Sequence, residues 1–89
     1  MGRYSLRIKD SAAKEIERIE PRKIRRQIVT RIQGLATNPR PPGCEKLASA
    51  GDRYRVRQGV YRIVYEVRDL ELVVVLVKVG HRSQVYKSL

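Results

Sequence analysis

The chain has 89 residues, of which 42% are hydrophobic, and these values suit one small domain with a single core. It contains 20 Lys and Arg against nine Asp and Glu, which gives a formal net charge of +11. A surface this basic attracts polyanions, so it favours a nucleic acid as partner, with an acidic protein as the alternative. The longest apolar run, from Leu72 to Val77, is too short to cross a membrane, so no membrane association is expected.

Cysteine usage and the amino terminus indicate the compartment. Cys44 is the single cysteine, so no internal disulfide can form. No apolar signal-peptide core lies near the amino terminus. Together these features predict a cytoplasmic protein.

The first half of the chain predicts one strand and two helices. Residues 3–9 alternate between polar and apolar side chains, which is the period of a half-buried strand. A first helix should begin at Asp10 or Ser11 and end before Pro21. Pro21 suits the first turn of a second helix, whose apolar stripe should cover a sheet: Ile24, Ile28, Ile32 and Leu35.

The second half predicts a loop followed by a sheet. Thr37 to Asp52 is rich in Pro and Gly, which forbid regular structure for most of that stretch. Three antiparallel strands should follow, at Arg53–Arg57, Val60–Arg68 and Leu72–Val79. The last is apolar on both faces, so it should lie inside the sheet. We therefore expect a single α+β domain over residues 1–89, in which the N-terminal strand and this meander form a four-stranded sheet beside a two-helix hairpin.

Arginines on the first strand of the meander are the most suggestive feature of the sequence. Arg53, Arg55 and Arg57 fall on one face of that strand, and the residues between them fall on the other. Across the next turn, Arg62 lies among apolar residues, where a charge needs a specific partner. The spacing leaves two partners equally open for Arg62: a carboxylate, from Glu66 or Asp52, or a phosphate.

The segment GHRSQVY, residues 80–86, brings a second group of functional residue types to the end of the last strand. His81, Arg82 and Tyr86 could each be an ordinary surface or core residue, but their proximity to the arginine strand favours a site. The acidic residues are scattered along the chain, so no metal site is predicted.

At these segments the sequence resembles the RelE/ParE toxin superfamily, and specifically its RelE branch. The resemblance covers nearly the whole chain and rests on the element order, on YRVRQGVYRIVYEV at 54–67, and on GHRSQVY. It implies a RelE-like fold and a toxin of a type II toxin–antitoxin system that cleaves mRNA in the ribosomal A site. It also implies an antitoxin that binds the toxin as a hetero-oligomer, the ribosome and mRNA as partners, and no metal or other cofactor.

The resemblance also implies residue roles. The 2′-hydroxyl of the mRNA attacks the adjacent phosphodiester, while Arg55, Arg57 and Arg62 hold the phosphate and Arg82 and Tyr86 act from the tail. Guanidinium groups suit this task, because they bind phosphate oxygens bidentately. Four other basic residues are expected to bind RNA: Lys46, Arg53, Lys78 and Lys87.

The chain departs from the family pattern, which has lysines at the positions of Arg55 and Arg57. Arginine is a poor proton acceptor, so the general base must be another group, either His81 or Tyr86. We expect Tyr86 to serve as base or stacking group, and Arg82 to neutralise or protonate the leaving 5′ oxygen.

Two other functions compete with this interpretation. The ParE branch of the superfamily inhibits DNA gyrase and does not need the arginine and tyrosine set, so the GHRSQVY segment argues against it. A non-catalytic RNA- or ribosome-binding module would need only the +11 charge and the arginine strand.

Overall fold

The computed structural model describes residues 3–47 and 51–85, which form two helices and a mixed sheet. The elements are β1 (Ser5–Ile8), α1 (Asp10–Glu17), α2 (Arg22–Leu35), β2 (Glu45–Lys46), β3 (Arg53–Gln58), β4 (Tyr61–Arg68) and β5 (Val73–His81). The strand order is β1-β5-β4-β3-β2, with β1 parallel to β5 and every other pair antiparallel. This confirms the predicted α+β class, the meander and the interior position of the last strand.

The sheet has five strands, so the prediction of four was wrong. The additional strand, β2, forms inside the predicted loop and pairs Glu45 with Arg55 and Lys46 with Tyr54. A two-residue strand is too short to produce an alternating sequence pattern, so the Pro and Gly residues before it dominated the prediction.

The core lies between the helices and one face of the sheet. The predicted stripe of α2 is confirmed, since Ile28, Ile32 and Leu35 are buried and Ile24 packs against the core cluster. The inner face of β3, β4 and β5 supplies the other half of the core: Tyr54, Val56, Ile63, Tyr65, Val67, Val74, Leu76 and Val79. Burial of each such side chain contributes about 1.5–3 kcal/mol, which makes this face the main source of stability.

Asp69, in the turn between β4 and β5, joins three distant parts of the chain. Its carboxylate accepts hydrogen bonds from both terminal nitrogens of Arg40, at 3.1 and 2.8 Å, and from the Tyr4 hydroxyl at 2.6 Å. The Arg40 Nε also donates to the Tyr54 hydroxyl at 3.0 Å. Hydrogen bonding to Arg40, followed by that to Tyr4, lowers the pKa of Asp69 from 3.8 to about 2.

A second hydrogen bond holds the same loop against the core. The buried Tyr65 hydroxyl donates to the carbonyl oxygen of Pro39 at 2.6 Å, and burial raises the pKa of Tyr65. The loop after α2 is thus held at Pro39 and at Arg40. These two contacts position the chain so that β2 can pair with β3.

Replacement of Asp69 by Asn should reveal the Asp69–Arg40 pair through its pH dependence. The folded-state pKa lies below the ordinary value, so this stabilisation is fully present above about pH 5 and is lost as the pH falls towards 2. We expect the difference in unfolding free energy between wild type and Asp69→Asn to be constant at neutral pH and to shrink below about pH 5. Urea unfolding followed by circular dichroism measures it.

The matched control is Glu71→Gln in the same turn, because Glu71 makes one longer ion pair, 3.8 Å from Arg68. A difference for Asp69→Asn that stays constant down to about pH 2, or that Glu71→Gln reproduces, would contradict the role of this pair.

Candidate nucleic-acid interface

The sheet face opposite the helices carries four arginines on β3 and β4, and we call it the arginine face: Arg53, Arg55, Arg57 and Arg62. Arg57 lies directly opposite Arg62 on the neighbouring strand. Like charges at directly opposed positions destabilise a sheet. The opposed pair is therefore unfavourable for the fold unless negative charge lies nearby.

Arg62 is held by backbone oxygens. Its Nη1 donates to the carbonyl of Gly59 at 3.0 Å and to that of Tyr61 at 2.9 Å, which fixes the side chain at the β3–β4 turn. Neither Glu66 nor Asp52 forms an ion pair with Arg62. Glu66 instead accepts a hydrogen bond from Arg68 Nε at 2.6 Å and lies 3.9 Å from Arg53 Nε. Of the two partners left open by the sequence, the carboxylate is thus absent among the described residues.

Glu45 is part of this face, and sequence reasoning missed it. Its carboxylate forms an ion pair with Arg55 and lies 3.7 Å from Nη2 of Arg57. The Arg55 side chain is only 17% exposed, whereas that of Arg57 is 63% exposed. Glu45 therefore orients the half-buried Arg55 and leaves Arg57 accessible. No signal in the sequence placed it here, because it lies in the stretch predicted as a loop.

Gly80 allows the tail to fold back onto the arginine face. Gly80 lies opposite Arg62, so a Cβ at position 80 would project from the same face. That Cβ would lie 3.3 Å from Cβ of the fully buried Val85. The absence of a side chain at Gly80 thus leaves room for Val85 on this face. Tyr86 and Lys87 follow directly in the sequence but lie outside the described residues.

The turn after β5 places His81 and Arg82 at the same end of the sheet. The Arg82 backbone N–H donates to the carbonyl of Val60 at 2.7 Å, and the Arg82 side chain is exposed. His81 Nδ1 accepts a hydrogen bond from the Ser83 backbone N–H at 3.1 Å and contacts the Ser83 hydroxyl at 2.8 Å. In the neutral ring the proton then resides on Nε2, which makes that nitrogen a donor.

Of the lysines predicted to bind RNA, one is on the helix side of the sheet and another is neutralised by a carboxylate. Lys46 pairs with Tyr54, whose side chain is in the core, so Lys46 leaves the sheet on the helix side. Lys78 Nζ lies 2.6 Å from Glu15, and the other oxygen of that carboxylate accepts the Val79 N–H at 3.0 Å. Glu15 therefore neutralises Lys78 while it covers the free edge of β5 beyond β1.

Within residues 3–47 and 51–85, no three His, Cys, Asp or Glu side chains gather in a metal-ligating group. In the same ranges, neither helix combines the length and the apolar character needed to cross a membrane.

The fold and the arginine face define a class of small basic α+β proteins, and comparison with known proteins specifies it. Residues 6–86 match the family described as ParE toxin of type II toxin–antitoxin system, parDE. A RelE-like toxin protein of Escherichia coli is 32% identical over 88 residues, which cover 94% of this chain and 90% of that protein. Toxin RelG of Mycobacterium tuberculosis is 24% identical over 84 residues, which cover 94% of this chain and 97% of RelG.

Solved structures agree with this grouping. The RelBE2 toxin–antitoxin complex of Mycobacterium tuberculosis contains a chain that matches with a TM-score of 0.80 and 26% identity, covering 94% of this chain and 97% of that one. A chain of the RelE–RelB complex of Pyrococcus horikoshii matches with a TM-score of 0.79 and 27% identity, and the match covers 91% of this chain and 97% of that one. The chain belongs to the RelE/ParE superfamily of toxins from type II toxin–antitoxin systems.

Replacement of Gly80 by Ala should displace the tail. The added Cβ is too close to Val85 for an ordinary contact, so we expect a loss of stability of about 1 kcal/mol and faster hydrogen exchange of the Val85 amide. The control is Gly34→Ala in α2, where a Cβ meets nothing within 4 Å and should stabilise the helix by roughly 0.5–1 kcal/mol. Unchanged Val85 exchange in Gly80→Ala would contradict the proposed packing.

Proposed function

We propose that this toxin is a metal-independent endoribonuclease that cleaves mRNA in the ribosomal A site and thereby inhibits translation. The observation that carries the proposal is the placement of Arg55, Arg57 and Arg62 on one sheet face, with Arg57 directly opposite Arg62. The similarity to RelE-like toxins supports the reaction class.

The chemistry needs charge stabilisation and proton transfer. The 2′-hydroxyl loses its proton and its oxygen bonds to phosphorus, while the bond from phosphorus to the 5′ oxygen breaks. The products are a 2′,3′-cyclic phosphate and a 5′-hydroxyl. Arg62, anchored by its Nη1, directs its guanidinium to a non-bridging oxygen, where negative charge grows in the transition state. Arg57 binds the same phosphate or its neighbour from across the strand pair.

Two groups are suited to accept the proton. Tyr86 follows the buried Val85 in the sequence and carries a phenolic oxygen, which accepts a proton in its ionised form. Glu45 is the carboxylate that contacts both Arg55 and Arg57. His81 is less suited, because Ser83 occupies its acceptor nitrogen. Arg82, exposed at the end of the sheet, neutralises or protonates the leaving 5′ oxygen.

An antitoxin is the second partner in this proposal. Similar toxins form structurally characterised complexes with RelB antitoxins from bacteria and an archaeon. The +11 charge of this chain suits an antitoxin whose acidic segment covers the arginine face in a hetero-oligomer. Toxin and antitoxin act in the cytoplasm, where the ribosomes are.

Gyrase inhibition is the second candidate function. It is favoured by the family match, because the matching family is named after the ParE toxin, whose branch of the superfamily inhibits gyrase. Gyrase inhibition requires no cleavage of RNA, so a nuclease assay separates the two functions. A non-catalytic RNA-binding module is separated from both by the same assay together with a gyrase assay.

Replacement of Arg62 by Lys should separate catalysis from binding. Lysine keeps the charge but loses the planar, bidentate donor, so we expect ribosome-dependent cleavage to fall by about 100-fold while ribosome affinity stays nearly constant. Arg3→Lys, outside the sheet, is the matched control and should retain full cleavage. Equal cleavage by Arg62→Lys and wild type would contradict the phosphate role of Arg62.

The variants Glu45→Gln and Tyr86→Phe should identify the base. Each is nearly isosteric, so the variant that removes the base should lose about 100-fold or more in cleavage rate. Glu45→Gln should also raise affinity for single-stranded RNA several-fold, because two guanidinium groups lose a competing carboxylate. Glu71→Gln, with the same charge change at the far end of the sheet, controls for net charge. Full cleavage by both variants would contradict both assignments.

A further inference from the structure

The basic residues of helix α2 are placed where they destabilise the helix. It carries five cations and no acidic residue: Arg22, Lys23, Arg25, Arg26 and Arg31. Four of them lie near its N-terminus, where the helix dipole is positive and acidic residues are preferred. Pairs such as Lys23 and Arg26, three residues apart, also repel each other. A bound anion would relieve both effects.

The cations of α2 have no counter-ions in the described part of the chain. None of the five forms an ion pair there, and Arg25 donates only to a backbone carbonyl, that of Glu17, at 3.4 Å. The Nε of Arg31 is buried without a hydrogen-bond partner among these residues. A buried, unsatisfied donor is costly, so Arg31 is suited to a ligand that the described residues do not supply.

Three of these cations line one cleft. The cleft has a volume of about 560 Å³, and no carboxylate lines it. The other three lining residues, two glutamines and a threonine, also carry hydrogen-bonding side chains. The full lining is Lys23, Arg26, Gln27, Thr30, Arg31 and Gln58.

The cleft lies at the end of the sheet where the arginine face also ends. Gln58 is the last residue of β3 and directly follows Arg57, whose side chain is on the opposite face. A chain of phosphates that crosses Arg57 and Arg62 can therefore continue around this end of the sheet to α2. The two basic surfaces are adjacent but lie on opposite sides of the sheet.

We propose that the α2 cleft binds a backbone phosphate of RNA, as a second binding site separate from the arginine face. The donor set favours RNA over an acidic peptide, because Lys, Arg, Thr and Gln side chains are the usual ligands of phosphate oxygens. The lining also lacks the large apolar side chains that would anchor a peptide. This site extends the proposed nuclease function but does not require that the RNA be cut.

The test compares two triple variants with equal loss of charge. One is Lys23→Gln, Arg26→Gln, Arg31→Gln in the cleft; the other is Arg3→Gln, Arg7→Gln, Lys9→Gln around β1, at the far edge of the sheet. Binding of a labelled oligouridine is measured by fluorescence anisotropy over a range of salt concentrations. For the cleft variant we expect an affinity loss of at least about tenfold and a salt-dependence slope reduced by about 0.7 for each phosphate that the protein no longer neutralises.

The β1 variant should change both quantities much less. Equal losses in the two variants would overturn the proposal, since they would show a diffuse charge effect. Unchanged oligouridine binding by the cleft variant together with weaker binding of polyglutamate would overturn it in favour of an acidic protein. The double variant Lys23→Gln, Arg26→Gln, at two exposed positions, keeps the test valid if the change at Arg31 prevents folding.

Cleavage by wild type on programmed ribosomes is measured in parallel. If wild type cleaves mRNA and the cleft variant binds oligouridine normally, the α2 cleft is not a binding site, but the nuclease function stands. A specific binding loss without any cleavage by wild type would disprove the nuclease function and leave the cleft in place.

Discussion

Burial of one face of β3 and β4 is the constraint on which the rest of the structure depends. Side chains alternate along a strand, so placing Val56, Ile63 and Tyr65 beneath the helices forces Arg57 and Arg62 onto the other face. A slip of one residue would bury the arginines and expose the core, at prohibitive cost. Burial of the apolar face therefore provides the free energy that holds Arg57 and Arg62 opposite each other despite their repulsion.

The second requirement is a correctly placed loop between α2 and β3. Its anchors at Pro39 and Arg40 tie it to Tyr65 in the core and to Asp69 in a distant turn. Through them β2 reaches the edge of the sheet and brings Glu45 to the arginines. The network is partly exposed, so it is sensitive to pH in a way that the apolar core is not.

Much of this could be predicted from the sequence, because long periodic segments carry strong signals. The alternation at residues 53–57 and the stripe of α2 led directly to the sheet, the helix layer and the arginine face. The same reasoning missed Glu45, since strand β2 has only two residues and its partner lies ten positions away. It also could not tell that Lys78 would be neutralised, because Glu15 is 63 residues distant in sequence and meets it only in the folded state. Long-range ion pairs of this kind have no local pattern.

The choice between the RelE and ParE branches depends on activity, because the fold is common to the superfamily. The most direct measurement is to incubate the purified toxin with ribosomes programmed with a defined mRNA, with naked mRNA in parallel, and to map the new 5′ and 3′ ends with and without chelator. We expect cuts confined to the A-site codon, dependent on the ribosome and insensitive to the chelator, with 2′,3′-cyclic phosphate ends. Intact mRNA under these conditions, together with inhibition of gyrase supercoiling by the same preparation, would contradict it.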